Sequence, residues 1–134
     1  MAEGGTPARD PQDPDQLLID FAARVPGVRR AAVVTSDGVL VAVSDRTKPD
    51  DLEQLSAITA GLISLASTTA QLLDTGAVIQ ALVTMARSTL VIMAIDHGAS
   101  LGVLTTATAD LDMVAYEMTM LVEESGSSFI PPAR

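Results

Sequence analysis

The stretch DDLEQLSAITAGLISLASTTAQLLD, residues 50–74, is the longest helical pattern in the chain. Its apolar residues recur at intervals of three and four, and no charged residue lies between Glu53 and Asp74. Thr47 is the predicted N-terminal cap of this helix, and Thr75-Gly76 is its predicted end. At about 1.5 Å per residue the helix is roughly 40 Å long, so it must organise the packing of any small domain that contains it.

Two stripes of residues follow this helix. The first has large side chains and is predicted to pack on a sheet: Leu52, Leu55, Ile58, Leu62, Leu65, Thr69 and Leu72. The second is small or weakly polar and uncharged: Ala57, Ala60, Gly61, Ser64, Ser67, Thr68 and Gln71. Small residues at this spacing let another backbone approach closely, so the second stripe predicts the interface of a symmetric homodimer. Burial under another part of the same domain is the alternative.

The chain before the long helix predicts a helix and a β-hairpin. Residues 1–14 have almost no apolar side chains and are predicted to be a disordered tail. Asp13-Pro14 suits a helix start, and Pro26-Gly27 suits its end. Two β-branched, apolar runs then flank Ser36-Asp37-Gly38, a strong hairpin signal, and they span Val28 to Thr35 and Val39 to Ser44.

The chain after the long helix predicts three antiparallel strands and a last helix. The strands span Ala77 to Met85, Ser88 to Ile95 and Ser100 to Thr106. The middle strand is apolar without alternation, so helices should cover both faces of the sheet. A final helix is predicted over residues 110–125 and a loose tail over 127–134. The prediction is therefore one domain of mixed α/β (α+β) class over residues 15–126.

Composition narrows the possible functions. The 134 residues carry a net charge of −9, which disfavours nucleic-acid binding and docking on anionic lipid. Three aromatic residues are too few for an aromatic-lined pocket, and the absence of cysteine excludes disulfides and thiol chemistry. The start of the sequence has no signal-peptide pattern, and its longest apolar run, Leu90 to Ile95, is too short for a membrane span. These features predict a cytoplasmic protein without direct membrane insertion.

No catalytic or cofactor motif is present in the sequence. It lacks both glycine-rich phosphate-binding motifs and the nucleophile elbow of hydrolases. The single histidine, His97, is in a predicted turn without a second nitrogen or sulfur ligand, so no metal site is expected. Arg29, Arg30 and Arg87 could reach the phosphates of a partner, although solvated arginines are the more common case. We therefore predict no catalytic residues, no metal and no cofactor.

Several stretches together resemble the Roadblock/LC7 family, and its actinobacterial members in particular. They are Leu17-Leu18-Ile19-Asp20-Phe21, Val25-Pro26-Gly27-Val28, Ala31 to Val39, Leu101-Gly102-Val103-Leu104 and Val114-Ala115-Tyr116-Glu117-Met118. The order helix, hairpin, long helix, three-stranded meander and helix is also that of the family. This resemblance covers about residues 15–126.

The resemblance implies a profilin-like architecture: a five-stranded antiparallel sheet between one long helix and a pair of helices. It implies homodimers in which the long helices pack together and the third strands join the two sheets. It also implies a regulatory partner, a small Ras-like GTPase, and in actinobacteria an accompanying sensor kinase-like protein. The family has no catalytic residues to carry over.

Two functions follow as hypotheses. The leading one is a non-enzymatic homodimeric adaptor that binds and regulates a small Ras-like GTPase in bacterial signalling. Gln54, Ser67 and Gln71, which flank the small-residue stripe, are the candidate contacts to that partner. The alternative is a small-molecule-sensing regulatory domain, although scarce aromatics and few inward polar residues on the strands disfavour it.

Overall fold

The computed structural model describes residues 13–95 and 98–130. Within that part of the chain it has three α-helices and five strands, followed by a short 3-10 helix. In chain order these are α1 (Pro14–Arg24), β1 (Val28–Thr35), β2 (Leu40–Val43), α2 (Pro49–Leu73), β3 (Gln80–Thr84), β4 (Ser88–Ile95), β5 (Ala99–Thr106), α3 (Leu111–Ser125) and the 3-10 helix Gly126–Phe129. The predicted tail at 1–14 lies outside the described residues except for Asp13 and Pro14.

All five strands form one antiparallel sheet in the order β2-β1-β5-β4-β3. Side chains from α1 and α3, such as Phe21 and Met118, share a buried cluster with Val33 and Val103 on one face. On the other face, Ile63 of α2 packs with Leu90 and Ile92 of β4. The predicted fold class, with helices on both faces of an antiparallel sheet, is confirmed.

Local signals position most of the helix and turn ends. The Asp13 side chain caps α1 by accepting a hydrogen bond from the Asp15 backbone N–H at 3.0 Å. Gly38 closes the β1–β2 hairpin with a φ of +87°, a conformation that favours glycine. The predicted cap at Thr47 is wrong: Lys48, in the left-handed region, precedes α2 without a capping side chain. Thr47 instead donates its backbone N–H to the Asp45 carboxylate.

The long helix α2 lies on the sheet through a face that was not predicted. Its buried residues are Leu52, Ser56, Thr59, Ala60 and Ile63. Of the large stripe predicted to pack on the sheet, only Leu52 is buried; Leu55 and Leu62 are half-buried, and Ile58, Leu65, Thr69 and Leu72 are exposed. That prediction is therefore wrong for most of the stripe.

The physical reason is a close approach between α2 and β5. A Cβ atom on Gly102 would lie 3.3 Å from the Thr59 Cγ2 atom, so the helix sits almost against the strand backbone. Side chains the size of Ser56, Thr59 and Ala60 fit in that gap, whereas leucine side chains would hold the helix further away. Some small residues of α2 thus allow its close contact with the sheet, and other small residues lie on its outer face.

The C-terminal segment is part of the packed domain. The predicted loose tail began at Ser127, but Phe129 is fully buried in the cluster that α1, α3 and the sheet share. Ile130 packs against the same cluster. Burial of this large aromatic side chain, together with the packing of Ile130, helps to offset the backbone entropy lost on ordering the segment, and the tail prediction is wrong up to Ile130. Residues 131–134 lie outside the described part.

Replacing Phe129 tests the role of this segment. We expect Phe129→Ala to lower the free energy of unfolding by about 3–5 kcal/mol, because it leaves a cavity in the main core. Urea unfolding at a fixed protein concentration measures the change. Tyr116→Ala is the matched control: this ring is 61% exposed, and its removal should change stability by less than about 0.5 kcal/mol. Equal stability of Phe129→Ala and the unsubstituted protein would mean that the segment does not pack.

Candidate interaction surface

The outward face of α2 carries a row of large apolar side chains. Ile58, Leu65 and Leu72 are 54%, 70% and 80% exposed, and they are spaced seven residues apart. Seven residues are close to two helical turns, so the three side chains form one line along the helix. Isolated exposed leucines are common on protein surfaces, whereas large apolar side chains aligned along one helix face are typical of an interaction site.

Small residues lie beside this row. Ala57, Gly61, Ser64 and Thr68 are exposed, and apart from the adjacent residues and helix backbone no atom lies within 4 Å of the position that a Gly61 Cβ would take. Together with Ile58, Leu65 and Leu72 they form what we call the α2 outer face. Large side chains beside gaps of this kind can interdigitate with a second helix. Ala60, also predicted at the interface, faces the sheet instead and is buried there.

The second half of α2 is largely uncovered by the residues that the structure describes. Every buried residue of the helix lies between Leu52 and Ile63, and none lies between Ser64 and Leu73. Thr68 and Thr69 donate their hydroxyl groups to backbone carbonyls one turn earlier, at 3.1 and 3.0 Å. Because these hydroxyls are already hydrogen-bonded, this half of the helix can be buried against a partner without leaving them unpaired.

The edge of the sheet next to the α2 C-terminus is open. β3 pairs with β4 on one side and, among the described residues, with no strand on the other. Leu82 at the centre of β3 is 45% exposed, and Ile79 just before the strand is 79% exposed. An open edge with apolar side chains is a ready site for pairing with another strand. It therefore extends the apolar surface of α2.

By length and composition alone, α2 could also cross a membrane. Its most apolar 18-residue window has a mean hydropathy of 1.3, and only 22% of that window is buried. The earlier prediction from the run at Leu90–Ile95 missed this helix. However, Leu52, Ser56 and Ile63 hold its first half against the sheet. The exposed half has the length of only about three helical turns, too short to cross a bilayer.

The three candidate partner contacts are exposed but are not brought together. Gln54 lies in the second turn of α2, whereas Ser67 and Gln71 lie near its end, roughly 20 Å further along the axis. Ser67 and Gln71 line a depression of about 460 Å³ together with Asp74 and Ala94. Within one chain these residues therefore form two separate polar positions at the two ends of the outer face.

A cleft between the hairpin and the start of α2 is the candidate pocket for a small molecule. It measures about 500 Å³ and is lined by Val39, Leu40 and Leu52 among others. Two polar groups in its lining are already bound: Arg46 by the Asp15 carboxylate at 2.8 Å, and the Ser56 hydroxyl by the Leu52 carbonyl at 2.7 Å. The cleft thus offers few polar groups that could orient a ligand.

No cluster of side chains suited to binding a metal ion is found in residues 13–95 and 98–130. No group of three or more His, Asp or Glu side chains in this part could hold a metal ion. His97 lies outside the described residues. The Thr47 backbone N–H and hydroxyl, with Arg30 nearby, lower the pKa of Asp45, which is an exposed carboxylate at the surface.

Comparison with protein families identifies the fold. The Roadblock/LC7 domain matches residues 14–105 of the chain. The chain belongs to the Roadblock/LC7 family. Both the outer face of α2 and the open edge of β3 lie inside the matched residues. Members of this family are mostly regulatory or adaptor proteins.

Solved Roadblock/LC7 domains from Streptomyces avermitilis are similar over most of their length. One is 30% identical with a TM-score of 0.80, and the match covers 86% of this chain and 96% of that domain. A second is 39% identical with a TM-score of 0.67, covering 82% and 95%. Myxococcus xanthus MglB, at 16% identity and a TM-score of 0.79 over 90% of this chain and 98% of MglB, shares the fold. A search of curated proteins finds no match.

Proposed function

We propose that this chain is a non-enzymatic homodimeric adaptor that binds and regulates a small Ras-like GTPase in a bacterial signalling system. The observation that supports it best is the uncharged apolar outer face of α2, which the described residues of a single chain leave largely exposed. The GTPase follows from membership of the Roadblock/LC7 family, as does a sensor kinase-like protein as a further partner. We place this adaptor in the cytoplasm.

One two-fold axis accounts for both parts of the apolar surface. Antiparallel pairing of two β3 edges requires a two-fold axis perpendicular to the sheet, and the same axis brings the two α2 helices together antiparallel. Leu65 of one copy would then lie opposite position 57 of the other, beside the gap at Gly61. The predicted interface residues Ala57, Gly61, Ser64, Ser67, Thr68 and Gln71 are all exposed and available for this contact.

The same geometry suggests how the GTPase is contacted. In an antiparallel helix pair centred on Gly61, the middle of α2, position 54 of one copy lies opposite position 68 of the other, so Gln54 comes near Ser67 and Gln71. The two polar positions separated within one chain would then combine on the dimer. A single GTPase bound across the two-fold axis would meet one such group on each side, so two copies of this chain would serve one partner.

Substituting the outer face of α2 tests the dimer. Gly61→Arg places an unpaired charge where two helices meet, and we expect a loss of about 3–5 kcal/mol of association free energy. Light scattering should show a dimer for the unsubstituted protein and monomer or aggregate for this variant. Ile19→Arg, at an exposed isoleucine of α1 on the opposite face, is the control and should stay dimeric. An unsubstituted protein that is monomeric at high concentration would contradict the proposal.

The purified protein should bind no nucleotide by itself. The chain has no glycine-rich phosphate-binding motif, and its net charge of −9 opposes a triphosphate. Calorimetric titration with GTP and with ATP, each with magnesium, should therefore show no binding heat. Binding at micromolar concentration would show that the chain has a nucleotide site and would favour the sensing alternative.

The GTPase should be bound with different affinities in its two nucleotide states. Switch loops are ordered by the γ-phosphate, so a partner that contacts them distinguishes the GTP form from the GDP form. The measurement is titration of this protein with a GTPase encoded beside it, loaded with GDP or with a non-hydrolysable GTP analogue. Equal affinities would indicate a passive scaffold. No binding in either state would contradict the proposed partner but not the dimer.

A further inference from the structure

Two arginines line the same depression at one end of the sheet, away from the proposed GTPase contacts. Arg29 lies near the start of β1, and Arg87 lies in the turn between β3 and β4. Both line a shallow depression of about 380 Å³, together with Met85, Ser88 and Leu104. Met85 is exposed and Leu104 is half-buried, so the depression combines two guanidinium groups with an apolar floor.

A β-bulge aims Arg29 at this depression. Val28 pairs with Thr105 and Arg30 pairs with Leu104, so Arg29 is an extra residue between two consecutive pairs. Bulges change the direction of a side chain and are frequent next to binding sites. Here the Arg29 Nη1 atom reaches across β5 and donates a hydrogen bond to the Ser88 hydroxyl at 3.1 Å. The guanidinium is thus held beside the turn that carries Arg87.

These two arginines differ from the other arginines in the described part of the chain in their charge partners. Arg24, Arg30 and Arg46 each form an ion pair with a carboxylate, at 2.7, 3.4 and 2.8 Å. Within residues 13–95 and 98–130, neither Arg29 nor Arg87 takes part in an ion pair. On a chain with a net charge of −9, two guanidinium groups that line one depression without an ion-pair partner among the described residues form a local positive site.

We infer that Arg29 and Arg87 form a binding site for a carboxylate side chain of a partner protein. A guanidinium presents a planar set of N–H donors that matches a carboxylate with two parallel hydrogen bonds. The apolar floor at Met85 and Leu104 accommodates an apolar residue next to that carboxylate. The matching segment therefore carries an acidic residue beside a leucine-like one.

Charge and lining favour a carboxylate over a phosphate. A phosphate group carries about two negative charges, which the overall negative field of this chain repels more strongly than one. All six residues that line the depression belong to strands or to the β3–β4 turn, so no helix N-terminus adds N–H donors for a phosphate. This site does not depend on the GTPase being the partner.

Peptide titration followed by NMR tests this site. The probe is the capped peptide GLEGLEG, added to the nitrogen-15-labelled protein up to about 10 mM, where contacts of a few kcal/mol are detectable. We expect the side-chain Nε–H signals of Arg29 and Arg87 to shift. The uncharged peptide GLQGLQG should leave them unchanged. Arg29→Gln and Arg87→Gln should each weaken binding by about tenfold, since each removes one charge-assisted contact.

The control variant is Lys48→Gln, which removes an exposed cation elsewhere and should leave the affinity unchanged. Three outcomes would overturn the inference: no shift at the highest peptide concentration, equal loss of affinity in Lys48→Gln, or tighter binding of inorganic phosphate or of a phosphoserine version of the peptide. None of these outcomes bears on the GTPase titration, so failure here and failure of the proposed function can be told apart.

Discussion

The close contact between α2 and β5 determines what the rest of the molecule presents to its surroundings. Gly102 has no side chain, so Thr59 of α2 reaches almost to the strand backbone. A helix that lies so close must turn its small residues toward the sheet. Ser56, Thr59 and Ala60 occupy that side, and the large residues of the outer face are left pointing away. The exposed apolar surface of α2 is thus a consequence of the orientation of this helix on the sheet.

That arrangement has an energetic cost for a single chain. Burying a leucine or isoleucine side chain stabilises a protein by about 1.5–3 kcal/mol, and Ile58, Leu65 and Leu72 gain little of this from their own domain. Leu82 and Ile79 at the open edge are also exposed, so they too lack part of this stabilisation from burial. A second copy that covered both areas would recover much of this free energy, which is why self-association and the family's adaptor role fit one surface.

The fold was largely predictable from local patterns, and the orientation of α2 was not. The bounds of β1 and β4 match their predictions because β-branched runs end at clear turn residues. For α2, two stripes had similar periodicity, but the face that packs on the sheet takes only Leu52 from one and Ala60 from the other. The close approach at Gly102, which is distant in sequence, sets this orientation. Phe129 was missed because it follows a short polar stretch, and the cluster that buries it includes residues of α1 and the strands, which are distant in sequence. The bulge at Arg29 likewise depends on β5 and has no signal in β1 alone.

The opposite edge of the sheet has a different character. β2 is only four residues long, and its pairing with β1 shifts register between Val33 and Val34. Short and irregular edge strands are poor templates for further strands. Two copies joined through β3 would therefore form one continuous sheet with a β2 strand at each outer edge. Neither of these edges would pair readily with a further strand. Because only the β3 edge favours strand pairing, assembly through the sheet would stop at two copies. A chain with so much exposed apolar surface would then not extend into fibres.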